Sequence, residues 1–214
     1  MQQLLSPSYG HEKLDNPTLD DLIDIFEDCW THYIFAPCEL LLKSPHGDIA
    51  AITLLCSYFE TIGGYLHDQD TTRRSKEFFC IGLSEVLPTA QAEAFKPGVA
   101  AIYTHVRCGV AHEGLLGHKV NYSRAGSKAF YVTYPKAPDG SLDTDAEPSS
   151  IVVNPLRLFC LTREHFQEYV RRLRKPENQT LRQAFRTVVT RQWNLEGTRE
   201  NLIGMTEEEF HQRA

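Results

Sequence analysis

Between Pro45 and the pair Gly63-Gly64, apolar side chains return every three or four positions, so that Ile49, Ile52, Leu55, Cys56 and Phe59 fall on one face of a helix. It is the longest apolar pattern in the chain, and it commits the fold to burying a helical stripe rather than a sheet face. Gly47-Asp48 marks its start. The two glycines, which adopt a left-handed turn without steric cost, predict its stop at 63–64.

Similar stripes flank it on both sides. Asn16-Pro17-Thr18 reads as a helix start, and Leu19, Leu22, Ile23, Phe26 and Trp30 then recur at helical spacing over about 18–30. Ser75 to Val86 gives another helix with Phe78, Phe79 and Leu83 inward, closed by Pro88. Pro97-Gly98 opens a segment whose stripe is Val99, Ile102, Tyr103, Val106 and Val110. Helices are also expected at about 156–174, with Leu158, Phe159, Phe166, Tyr169, Val170 and Leu173 buried, and at 178–193, separated by Pro176.

The pattern changes only between Gly114 and Pro155. Residues 129–134 and 150–153 are β-branched or aromatic, and a Pro/Asp/Gly/Ser-rich stretch at 135–149 joins them, which predicts a small hairpin with a long connection. The expected architecture is therefore all-α: a polar leader at 1–17, one helical domain at 18–193 with a β-hairpin insertion at about 119–154, and an acidic tail at 194–214 that carries Glu207-Glu208-Glu209.

A chain of 214 residues with 42% hydrophobic and 23% charged residues can bury a real core. A net charge of -6 disfavours tight, sequence-blind binding along a duplex, which needs many Lys and Arg contacts to phosphate. The six cysteines are dispersed without a Cys-x-x-Cys pair, as in a reduced protein. The first 16 residues lack the charged-then-apolar design of a secretory signal, and the expectation is a cytoplasmic protein without a membrane span.

Chemistry concentrates in Arg107-Cys108-Gly109-Val110-Ala111-His112. An arginine is permanently charged and fits phosphate oxygens, while histidine exchanges protons near neutrality; together they can cleave a phosphodiester without a metal. On a regular helix five residue steps put the two about 140° apart, although Gly109 and Gly114 permit local unwinding. A surface arginine and a histidine favoured by the dipole at a helix C-terminus remain the plainer alternative.

The run Ile102-Tyr103-Thr104-His105-Val106-Arg107-Cys108-Gly109-Val110-Ala111-His112-Glu113-Gly114 resembles the signature of the HEPN superfamily, an arginine followed after four to six residues by a histidine. Residues 54–60 followed by 75–79 are similar to the long helix and its successor in stand-alone prokaryotic HEPN-like nucleases, and the likeness covers about 45–175. It implies a HEPN-type bundle and a cofactor-independent endoribonuclease that acts as a homodimer, as a toxin or defence effector, with an antitoxin or other neutralising partner. By this likeness His112 matches the catalytic histidine, Arg107 the motif arginine, and Glu60 the acidic residue that holds it. The residue after the arginine is often Asn, Asp or His in the family; here it is Cys108, a poor hydrogen-bonding substitute. A non-catalytic HEPN-like binding or dimerisation module is the competing expectation.

Other constellations are weaker. His105, Cys108 and His112 follow steps of three and four that could converge on zinc, but no further ligand completes the set. From 171 through 192 Glu177 is the only acid among seven cations, and Arg182 and Arg186 are candidate RNA contacts, against the alternative of a solvated helix surface paired with acidic neighbours. Phe130, Tyr131 and Tyr134 are expected to pack rather than to stack on bases. No nucleophile elbow or phosphate-cradling glycine loop is present in the sequence.

Overall fold

The structure, a computed structural model, describes residues 4–68, 71–87, 96–114 and 116–193, together with 195 and 208. The protein is mostly helical, with a few short strands. The expected acidic tail at 194–214 lies almost wholly outside the described residues.

Helix α1 (Leu19–Cys29) begins where Thr18 and Asp21 cap each other: the Thr18 side chain accepts from the Asp21 amide and the Asp21 carboxylate from the Thr18 amide. Its Leu22, Ile23, Ile25 and Phe26 are buried. The stretch before it is more than a leader. Strands β1 (Leu4–Ser6) and β2 (Tyr9–Gly10) pair antiparallel, Ser8 donates to Asp28, and Lys13 reaches Asp24 at 3.0 Å.

Beyond Cys29 the helix does not end. A π-helical segment, Trp30–Phe35, leads directly into α2 (Ala36–Lys43), which the apolar spacing did not predict. Pro37 stands in the first turn of α2, where its missing amide proton costs no hydrogen bond within that helix.

Helix α3 (Asp48–His67) is the central element and packs against α2, against α4 (Ser75–Val86), and against α6 (Pro155–Leu173) and α7 (Gln179–Gln192). Among the described residues it is the one helix long and apolar enough to cross a membrane by composition, but 56% of that span is buried inside the protein, as in a core helix. The expected stop at Gly63-Gly64 is overturned. The helix runs through both glycines and ends at Asp68, whose φ of 50° is left-handed. Gly63 serves close approach instead: a Cβ there would lie 2.2 Å from the Phe78 carbonyl oxygen, and one on Gly82 would lie 1.9 Å from that of Phe59. Helices α3 and α4 thus meet backbone to backbone.

The core on the other side of α3 is aromatic. Phe26, Trp30, Phe35, Tyr58, Phe166 and Phe185 pack mainly edge to face or tilted, geometries that suit the ring quadrupoles. Burial pushes the Tyr58 phenol up and lowers His165 to about 4, with Arg172 adding to the latter. The phenol therefore stays protonated and shares a hydrogen bond of 2.8 Å with Nδ1 of the neutral His165.

The insertion is larger than a hairpin. Strands β4 (Phe130–Thr133) and β5 (Ser150–Val153) pair antiparallel as the sequence suggests, and β3 (Val120–Tyr122) adds parallel to the other edge of β5. Asn154, buried at the junction with α6, caps that helix through Oδ1 to the Arg157 amide. Its Nδ2 donates toward three successive carbonyls, those of Arg124, Ala125 and Gly126.

Candidate functional site

Helix α5 (Lys96–Ala101) continues into two π-helical segments, Ile102–Arg107 and Gly109–Glu113, that end at Gly114 with φ 71°. Val99, Ile102, Val106 and Val110 are buried, as the stripe required. The amide of Cys108 bonds the carbonyl of Tyr103, five residues back. In such a ladder a turn closes over five residues, not four. The angular separation expected on a regular helix is thereby reduced.

Three elements hold the arginine. Arg107 Nη2 donates to Glu60 Oε2 of α3 at 3.2 Å, the two side chains being 24% and 22% exposed. Ser75, first residue of α4, donates from Oγ to the other carboxylate oxygen, Oε1, at 2.8 Å. The guanidinium carbon is 5.7 Å from the centroid of the Tyr103 ring, which meets Phe79 edge-on at 5.3 Å. The close α3–α4 crossing sets where Glu60 and Ser75 meet, since both sit on the helices it joins.

The buried Cys56 thiol is not a nucleophile. Burial pushes Cys56 up to about 12 against the opposing pull of Arg107. Burial also raises the Tyr103 phenol, and the neighbouring Cys108 adds to the shift. His112 is exposed and has no hydrogen bond or ion pair among the described residues.

The structure brings Glu60, Arg107 and Ser75 together and leaves His112 open to solvent. It does not gather His105, Cys108 and His112: among the described residues no three His, Cys, Asp or Glu side chains converge on a metal position. His105 instead approaches Glu147 at 3.6 Å and the ring of His118 at 6.0 Å. It lines a separate cleft of about 380 Å³ between Pro97, Ala101 and Thr104 on one side and residues 145–148 on the other.

Of the seven C-terminal cations, Arg171, Arg174 and Arg182 are paired within the fold. Arg182 bonds the Leu173 carbonyl and Asp20 and is 18% exposed, and Arg174 pairs with Asp24 and Glu27 of α1. Against the burial that would raise it, Lys13 and Arg174 hold the Asp24 carboxyl below its ordinary value. Arg186 alone of the two RNA candidates is exposed and without an ion pair among the described residues.

Two site residues escaped the sequence reading. Tyr103 stands four residues before Arg107, a spacing that puts a ring beside a cation on a helix and could have been read. Ser75 carries no such signal, because its partner Glu60 lies on another helix. In comparisons with protein-family models, curated proteins and solved structures, nothing matches this chain.

Proposed function

We propose that the protein is a metal-independent endoribonuclease of the HEPN type. It works as a homodimer in the cytoplasm, as a toxin or defence effector whose activity an antitoxin or other partner protein restrains. The observation that carries this reading is an arginine held by a carboxylate from another helix, five residues along a π-helical stretch from an exposed histidine that is unpaired among the described residues.

In the dimer His112 accepts the proton of a ribose 2′-hydroxyl while that oxygen forms a bond to the adjacent phosphorus. The bond from phosphorus to the 5′-oxygen breaks, and the partner's His112, entering protonated, supplies the proton that the leaving oxygen takes up. Arg107 neutralises the charge that grows on the phosphorane-like transition state, and Glu60 fixes its position. The products are a 2′,3′-cyclic phosphate and a 5′-hydroxyl, and the proton count balances. Arg186, with the more enclosed Arg182 beside it on α7, offers positive charge to the RNA backbone.

Incubation of RNA with the purified protein in EDTA tests the reading. Cleavage with cyclic-phosphate ends is expected, and His112→Ala, folded by circular dichroism, should lower the rate by about a hundredfold or more. Wild-type cleavage by the folded variant refutes it. Cys108, a poor hydrogen-bonding group directly after Arg107, favours a second reading, a non-catalytic HEPN-like module that binds RNA or protein. Binding of RNA by the wild type without any cleavage would select that reading.

A further inference from the structure

The Glu60 carboxylate is divided between two partners. Oε2 takes Arg107 Nη2 at 3.2 Å, and Oε1 takes the Ser75 hydroxyl at 2.8 Å. Among the described residues the bond to Glu60 is the one hydrogen bond that the Arg107 guanidinium makes. Left to itself a carboxylate closes on a guanidinium with both oxygens, in a planar two-bond fork. Such a fork would occupy two of the five guanidinium N–H groups and bury much of the charge. The 3.2 Å single contact is not that geometry.

We infer that Ser75 is a positioning residue that prevents the fork: by holding Oε1 toward α4 it turns the carboxylate so that Arg107 is tethered at one nitrogen, with the rest of its donors free for an oxyanion. The inference rests on the proposed role of Arg107 for its consequence but not for its test. Glu60 is then more than a counter-ion. Its carboxylate is aimed by α4 and holds the arginine loosely enough to release donors to a phosphate while fixing where the cation sits. The ring of Tyr103, 5.7 Å from the guanidinium carbon, supports the charge from a side that no oxygen occupies.

The test is the rate at which phenylglyoxal, a dicarbonyl whose electrophilic carbons the guanidine nitrogens attack, modifies Arg107 in the full chain, read by peptide mass spectrometry. Ser75→Ala should slow modification by about fivefold, the factor that one extra exposed charge-assisted hydrogen bond supplies. Ser75→Thr, which keeps a hydroxyl, should restore the wild-type rate. Combining Ser75→Ala with Glu60→Gln should return Arg107 to fast modification, because an amide presents only one acceptor oxygen. A loss of local structure would predict faster modification in Ser75→Ala and no rescue by either change. An unchanged or faster rate in Ser75→Ala, with its melting temperature held, overturns the inference. Because no RNA is involved, absence of ribonuclease activity would count against the proposed function and leave this result standing.

Discussion

Gly82→Ala probes the α3–α4 crossing on which the Glu60–Ser75 contact depends. The new methyl carbon would lie 1.9 Å from the Phe59 carbonyl oxygen and 2.8 Å from Ile62 Cγ2. The nearer atom is backbone in the middle of a helix, so no rotamer change relieves it, and the helices must part by about 1.5 Å to reach ordinary contact. Overpacking of this kind costs about 3 kcal/mol at the upper end of its usual range. Against that, alanine is favoured over glycine in a helix interior by about 1 kcal/mol. The net loss of about 2 kcal/mol corresponds to a fall in melting temperature of about 4–8 °C for a chain of this size. Calorimetry or thermal circular dichroism measures it. A melting temperature equal to or above the wild type would mean that propensity outweighs the clash and that the helices are not in backbone contact. The same separation should lengthen the 2.8 Å Ser75–Glu60 bond, so Gly82→Ala should also slow Arg107 modification.

Asn154→Asp keeps the cap on α6 but replaces a donor facing three carbonyls with a buried carboxylate oxygen. It should cost about 3 kcal/mol, read as a lower urea midpoint, and a midpoint within experimental error of wild type would remove Asn154 as the anchor of the insertion. His165 is held neutral in the fold at about 4, below its ordinary 6.5. The unfolded chain takes up a proton first, so this contribution is whole above pH 6.5 and is lost as pH falls toward 4. With an allowance for partial solvent screening it amounts to about 2 kcal/mol. His165→Gln, which retains an acceptor for Tyr58, should flatten the stability profile across that window, and an unchanged slope would assign the acid sensitivity elsewhere.

The helices that the sequence made legible are those whose buried face repeats without interruption. Leu22, Ile23 and Phe26 announce α1, and Leu158, Phe166 and Leu173 announce α6, because 3.6-residue periodicity and burial are the same fact seen twice. The misreadings came from residues that serve two purposes. Gly63 reads as a terminator by local preference but is a contact surface for α4; only the partner helix reveals this. The π-helical ladder around Arg107 is likewise invisible in composition, and it changes the angle on which the reading of Arg107 and His112 turned. Glu60 could be singled out by resemblance, whereas Ser75 needed the crossing of two helices to be seen at all.

The widened turns that carry Arg107 and His112 bear on how the chain tolerates change in length. A regular helix punishes removal of a single residue, because everything beyond it swings by about 100° and the buried stripe is thrown out of phase. A ladder bonded five residues apart already holds one residue more than its α-helical equivalent, so a deletion between 108 and 111 can be taken up by reverting to the ordinary pitch, with the flanking elements left in place. The two side chains would remain, four positions apart instead of five, again on one face. Loss of one residue at this point is thus a low-cost way to shorten the gap between cation and imidazole.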